Sequence, residues 1–236
     1  ARPTPTLDQF SRDLTDLARL ESVGFLIGHL DEYEHLTDVL ARPGHANALL
    51  LGEEGAGKEA IVAHLAFRIV KDRVPGPLFD KRLVELNTGV LAAGADAPEL
   101  RRRAEAIVEE IVNAGNVLLY IPNIHDIFKT AGVGELSVAD ILLPAILGDA
   151  FSVIGTSYPR EFVGFLEKRS DFMSGFETIK EIPSELTDEY AEGKKLFGDE
   201  IHCLVYDKMK HKEDESFKQI PDLIIIDGGK GQLSSA

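Results

Sequence analysis

Cysteine is almost missing: Cys203 stands alone in 236 residues. No internal disulfide framework can form, and the usage fits a reducing compartment. Long hydrophobic runs are missing as well. The longest, such as Val117 to Ile121 and Leu223 to Ile226, have strand length, far below the roughly 18–20 apolar residues of a membrane helix, so no membrane association is expected. Basic residues are in short supply, 25 Lys and Arg against 40 Asp and Glu, for a net charge of −15. Such a field opposes non-specific binding to nucleic acid or acidic membranes, though it allows a local basic patch. There is no internal repeat and no low-complexity tract. The chain starts at Ala1 without Met, a basic n-region or an apolar h-region. No secretion signal is visible, a fragment or processed chain is expected, and so is a cytoplasmic location. What remains is an ordinary globular composition, 44% hydrophobic and 28% charged, long enough for one large domain or two small ones.

The periodicity gives the elements. Thr6 is a candidate N-cap for a helix running from Leu7 through Phe10, Leu14, Leu17 and Ala18. Phe25-Leu26-Ile27-Gly28 follows, then a helix over 31–40 ended by Arg42-Pro43-Gly44. Ala48-Leu49-Leu50-Leu51 reads as a buried strand. A helix over 60–70 puts Ile61, Leu65 and Ile69 on one face. Strands over 83–86, 116–121 and 150–155 alternate with helices over 100–112 and 138–147. That alternation implies crossover connections and a mainly parallel sheet covered by helices on both faces. The expected fold class is α/β, a three-layer P-loop sandwich, with a small appended C-terminal segment containing a strand. The texture shifts after Pro183. His211-Lys212-Glu213-Asp214-Glu215 reads as a solvated charge run, and Pro221 to Lys230 as a buried strand entering a glycine turn.

The most informative local pattern is Gly52-Glu53-Glu54-Gly55-Ala56-Gly57-Lys58-Glu59, between a strand and a helix. It is G-x-x-x-x-G-K with the last position changed. Glycines let backbone N–H groups converge on a phosphate, the helix N-terminus adds positive potential, and Lys58 supplies a point charge. ATP or ADP is the expected ligand, held by Gly52, Glu53, Gly55, Ala56, Gly57, Lys58 and Glu59. The eighth position normally carries a Ser or Thr hydroxyl that ligates Mg²⁺; here it is Glu59, and Glu54 adds a second carboxylate. A charge pair about 4 Å apart is worth on the order of 4 kcal/mol at an effective dielectric near 20. Unbridged carboxylates facing a triphosphate would therefore weaken binding by up to roughly a thousandfold. Glu59 ligating the metal itself is the other outcome, and the sequence leaves both open.

In a P-loop ATPase the third strand ends in an Asp that holds Mg²⁺, often followed by a Glu that orients the attacking water. Here the strand ends Ile121-Pro122-Asn123-Ile124-His125-Asp126. Proline has no side-chain ligand, and asparagine can hydrogen-bond a water but cannot take its proton. Mg²⁺ is accordingly doubtful, and no metal-binding or catalytic residue is assigned here.

These residues carry a resemblance. From about Thr4 to Leu186 the chain resembles the first AAA+ ATPase module of the Clp unfoldase and disaggregase family. The matching stretches are Thr4 to Leu14, the Ile27-Gly28 pair, Leu49 to Glu53 with Gly57-Lys58, Ala60-Ile61-Val62, Gly115 to Leu119 leading to Ile124-His125, and Gly155-Thr156. The resemblance implies a homo- or hetero-oligomeric ring that threads protein substrates, with a protease among its partners. It also places Ile27 and Gly28, with His29, on the adenine side of the nucleotide. The departures fall on the family's working residues. Glu59 replaces the metal-binding Thr, and Pro122-Asn123 the acid pair. The pore loop around Gly94 to Pro98 has no aromatic residue. The sensor region reads Thr156-Ser157-Tyr158, and Ser174-Gly175 replaces the arginine pair that reaches a neighbouring protomer, with Arg169 out of register. The expected function is a degenerate Clp-type nucleotide-binding module of a protein-remodelling chaperone or protease regulatory subunit, with weak ATP/ADP binding and lost or impaired hydrolysis.

The tail carries a second resemblance. Asp188 to Ala191, and above all Pro221 to Leu233, are similar to the nuclease-domain region of the UvrC excinuclease family, which cuts damaged DNA. Asp227 matches one of that family's catalytic carboxylates. Metal-assisted phosphodiester cleavage needs several carboxylates around one or two ions, so Asp227 is catalytic only if the rest of that site is present. The domain division is then 1–186 Clp-like and 187–236 partial UvrC-like. The alternatives are a fragment of a DNA-repair nuclease, with nucleic acid as its partner, or a purely structural interaction domain. Arg101-Arg102-Arg103 reads as an exposed helix face paired with Glu99, Glu105 and Glu109 rather than a DNA patch.

Overall fold

The computed structural model of this chain describes residues 2–20, 29–44, 46–130 and 136–180. The chain divides between Ile182 and Pro183, and the elements below all belong to the N-terminal unit. The expected strand over Pro221 to Lys230, the charge run over 211–215, Cys203 and the Phe25 to Gly28 stretch lie outside the described residues.

The first helix is shorter than its periodicity suggests. α1 (Pro5–Gln9) is capped at Thr4, which makes no side-chain capping bond. Its free N–H groups are taken by a distant carboxylate: Glu110 accepts from Thr6 at 2.9 and 3.0 Å and from Leu7 at 2.9 Å. The chain then extends as β1 (Ser11–Asp13) and restarts as α2 (Leu14–Arg19), where the Asp13 side chain accepts from the N–H groups of Thr15 and Asp16. An Asp cap satisfies donors that a helix continuing from α1 would have bonded itself. The Thr6 cap and the unbroken helix from Leu7 are thus corrected to two short helices hinged on a strand.

α3 (Leu30–Leu40) precedes β2 (Ala48–Leu51), and α4 (Lys58–Val70) follows the glycine loop. A 3-10 turn (Gly76–Leu78) leads to β3 (Arg82–Leu86), then α5 (Thr88–Ala92). α6 (Ala97–Ala114) starts at an Asp96 cap and stops at Gly115, whose φ of 73° ends the helix. β4 (Val117–Ile121) runs into a 3-10 segment (Ile124–Thr130). α7 (Val138–Leu147) opens on a reciprocal Ser137–Asp140 capping box. After β5 (Ser152–Ser157) come α8 (Pro159–Glu161), a π-helical turn (Phe162–Leu166), α9 (Ser170–Met173) and β6 (Glu177–Lys180).

Among the described residues the sheet has six strands in the order β1-β3-β4-β5-β2-β6. β1 is antiparallel to β3, and every other pairing is parallel. Both faces are covered, as a parallel sheet requires. Alternation along β4 shows the two cores: Val117, Leu119 and Ile121 join Leu7, Leu100, Ile107, Ile111, Leu142 and Phe172 on one face. Leu118 and Tyr120 join Leu14, Leu36, Ile61 and Leu65 on the other. The α/β expectation and its helix-covered parallel sheet therefore stand for the described unit.

The register fixes where function can sit. Leu51 pairs with Ser157 and Ile121 with Gly155. Three neighbouring parallel strands thus end side by side, and the segments after β2, β4 and β5 meet at one edge, the usual place for ligands on open α/β sheets. The opposite end of β2 is tied by one buried amide. Asn47 Nδ2 donates to Gly175 O at 2.9 Å, and its Oδ1 accepts from Val153 N–H at 2.8 Å. Asn47→Ala leaves two buried backbone groups unpaired. A loss of about 2–4 kcal/mol is expected in urea unfolding. A loss below about 0.5 kcal/mol, ordinary for a surface substitution, would show that the amide does not hold the strand ends.

Candidate functional site

The loop after β2 has the backbone of a phosphate cradle. Gly55 and Gly57 adopt φ of 77° and 86°, left-handed values that glycine takes without steric cost. These turns bring the chain back so that α4 begins at Lys58. The first N–H groups of a helix have no intrahelical acceptor and point toward whatever lies beyond its end. A side chain on Gly57 would have its Cβ 3.0 Å from His29 Nε2, so the His29 ring lies against the loop. Its side chain is 10% exposed and lies 3.7 Å from Glu32. His29 is thus packed at the loop rather than standing free on the surface. Ile27 and Gly28, its expected partners on the adenine side, lie outside the described residues.

Lys58 is 1% exposed. Its ammonium donates to the carbonyls of Gly52 at 2.9 Å and Glu53 at 2.7 Å. The Tyr158 ring lies 4.6 Å from Nζ. Burial pushes the Lys58 pKa down, opposed by the negative charges of Glu59, Glu53 and Glu54. Those three carboxylates are themselves exposed at the loop rim.

The segment after β4 makes a tight turn. Asn123 sits at φ 49°, a conformation in which Asn is several-fold enriched among non-glycine residues. Its N–H donates to Thr156 Oγ1 at 3.1 Å, which locks the turn onto β5. The buried Asn123 Oδ1 atom and Tyr120 hydroxyl make no hydrogen bond of good geometry, although the Asn123 side chain neighbours the Tyr158 hydroxyl and the Tyr120 hydroxyl neighbours Thr156. Buried polar atoms of this kind are usually satisfied by ordered water or a ligand. Asp126 is engaged with Lys129 at 2.8 Å and is 44% exposed.

Beyond the turn, His125 Nδ1 and the buried Ser157 hydroxyl share a hydrogen bond of 3.0 Å, and Asp126 lies 3.6 Å from His125 Nε2. Burial holds the His125 pKa below that of free histidine. The order Ser, His, Asp superficially suggests a hydrolase. Ser157 is fully buried within β5, however, so no substrate carbonyl can reach it, and the bond pins the turn instead.

The sheet edge therefore brings together Gly52, Glu53, Gly55, Ala56, Gly57, Lys58 and Glu59 in one loop, facing the Pro122–Asn123 turn and Tyr158. Among the described residues no group of three or more His, Cys, Asp or Glu could hold a metal ion. Arg169 is bound internally to Asp140 and Asp171, each at 2.9 Å, and lies over Phe128. The Asp96 side chain accepts from Glu99 N–H as the α6 cap. Arg101 pairs with Glu105, and Arg102 and Arg103 pair with Glu99, as charged helix neighbours do. Asp227 lies outside the described residues. The placement of Tyr158 over Lys58 is not readable in the sequence, because it depends on the β2–β5 register rather than on spacing along the chain.

Comparison with known proteins agrees with this architecture. The chain is 34% identical over 179 residues to the negative regulator of genetic competence ClpC/MecB of Bacillus subtilis (strain 168), covering 75% of this chain and 22% of that protein. It is 36% identical over the same length, with the same coverage, to ClpC of Staphylococcus epidermidis, the ATP-binding subunit of an ATP-dependent Clp protease. Among solved structures, the S. cerevisiae Hsp104–ADP complex superimposes with a TM-score of 0.69 at 31% identity, over 80% of this chain and 27% of that one. The chain thus spans about a fifth of the length of the curated relatives it matches. Residues 179–236 match the UvrC RNAse H endonuclease domain family. The homologues of this chain are Clp-family AAA+ chaperones, and both resemblances noted in the sequence stand.

Proposed function

We propose that the N-terminal unit, to about residue 186, is a degenerate Clp-type AAA+ nucleotide-binding module. In this reading it is part of a cytoplasmic protein-remodelling chaperone or protease regulatory subunit, working within an oligomeric ring on protein substrates. It binds ATP or ADP weakly, and hydrolysis is lost or impaired. The supporting observation is one edge of one sheet. A phosphate cradle of intact backbone geometry and a buried Lys58 face a turn of Pro122 and Asn123, where a metal carboxylate and a base would stand. The relatives' names and the ADP complex of the yeast neighbour support the nucleotide itself.

The nucleotide's phosphates fit the residues present. The position a Cβ would take on Gly55 has no atom within 4 Å, which leaves room against the loop backbone. Gly55, Ala56, Gly57 and the start of α4 would hold the phosphates by their N–H groups, with Lys58 as the nearby cation. The residues fit Mg²⁺ poorly. Glu59 stands in place of a hydroxyl ligand, Pro122 offers no side-chain donor, and Asp126 is paired with Lys129. No step is routed through the metal.

Phosphate release with Mg²⁺ and ATP tests this reading. The purified protein is expected to release phosphate no faster than its Lys58→Ala variant. A rate of about one per second, at the low end of ordinary enzymes, that disappears in Lys58→Ala would refute the loss of hydrolysis.

A second reading is favoured by the match over residues 179–236: the chain is a fragment of an excinuclease-type DNA-repair protein, and Asp227 is one of its metal-binding carboxylates. In a protein that carries the rest of that site, it predicts nicking of supercoiled DNA with Mg²⁺ or Mn²⁺ that vanishes in Asp227→Asn. Intact plasmid with both ions removes it.

A further inference from the structure

The ammonium of Lys58 has three N–H donors, and two of them are committed to the carbonyls of Gly52 and Glu53. The Tyr158 ring lies 4.6 Å from Nζ, inside the range of about 6 Å over which a cation is attracted to an aromatic face. Lys58 is sealed at 1% exposure. In a phosphate loop the backbone N–H groups cradle the α- and β-phosphates, while the lysine reaches the β- and γ-phosphates. These two halves differ here. The backbone half has clear space at Gly55, with the His29 ring lying against Gly57. The lysine half is covered by a ring. Glu59 and Glu54 add negative charge around Tyr158, raising its hydroxyl pKa after burial has done so, and the same charge repels an incoming anion.

We propose that Tyr158 is a specificity-determining residue that confines this site to nucleoside diphosphates: its ring holds Lys58 down and stands where a third phosphate would approach the ammonium. The inference rests on the nucleotide-binding reading above and adds a substrate class to it. A diphosphate takes the backbone N–H groups and meets the ammonium only with its last phosphate. A triphosphate must displace the ring, break the cation–aromatic contact and bring more negative charge beside Glu59 and Glu54. Tyr158 follows the last residue of β5 and is half-buried, so its replacement leaves the core strands intact.

Calorimetric titration of the full chain with ADP and with a β,γ-imido ATP analogue tests this. The wild type is expected to bind ADP at least about tenfold more tightly than the analogue, the scale of one lost cation–aromatic contact. Tyr158→Phe keeps the ring and is expected to keep the gap. Tyr158→Thr is expected to narrow the gap by tightening the analogue more than ADP. The wild-type comparison stands by itself if a variant fails to fold. Analogue binding as tight as ADP in the wild type, or an unchanged gap in a folded Tyr158→Thr protein, overturns the role of Tyr158 and leaves nucleotide binding standing. Absence of heat with both nucleotides in every protein overturns the nucleotide reading and this inference together.

Discussion

A buried ammonium organises the functional edge of this protein. Removing a charge from water costs several kcal/mol unless partners compensate, and Lys58 is 1% exposed. Its partners are two carbonyls of its own loop and the face of Tyr158. For those carbonyls to turn inward, the chain must double back within a few residues, and Gly55 and Gly57 at left-handed φ make the return. The ring can reach Nζ only because Leu51 and Ser157 are paired neighbours on adjacent strands. Loop shape, strand register and the aromatic cover together satisfy one cation.

The turn after β4 obeys a related constraint. Pro122 and Asn123 form a corner whose second residue needs a left-handed backbone. Asn tolerates that conformation, and its N–H anchors the corner to Thr156. The corner thus has the chemistry of a structural turn, with His125 and Ser157 bonded behind it. The Asn123 amide lies beside the Tyr158 hydroxyl. An amide can orient water or phosphate there, yet it has no basicity to activate either.

Much of this is legible in the residues. β2 and β4 are continuous apolar runs because both of their faces are buried, and the glycine loop between β2 and α4 announces itself by composition. β1 is not legible, because Ser11-Arg12-Asp13 has no apolar alternation. It pairs through backbone bonds to β3 and a surface contact of Arg12 with Glu85 at 2.8 Å, and neither leaves a mark on local periodicity. β6 escapes for the same kind of reason: Glu177 is tied to His35 and Arg42 far away in sequence. The site itself is half legible. Gly52 to Glu59 can be placed from their own order, but the positions of Tyr158 and His29 follow from tertiary register and packing, which spacing along one segment does not encode.

The central claim is that the backbone cradle survives while the metal-binding side of the site does not. Backbone amide resonances of isotope-labelled protein report on both halves at once. Adding ADP is expected to move the signals of Gly55, Gly57 and Lys58, and adding Mg²⁺ afterwards to leave Glu59 and Asn123 where they were. Loop amides unmoved by saturating ADP, or a large Mg²⁺-dependent shift at Glu59 and Asn123, would contradict the account.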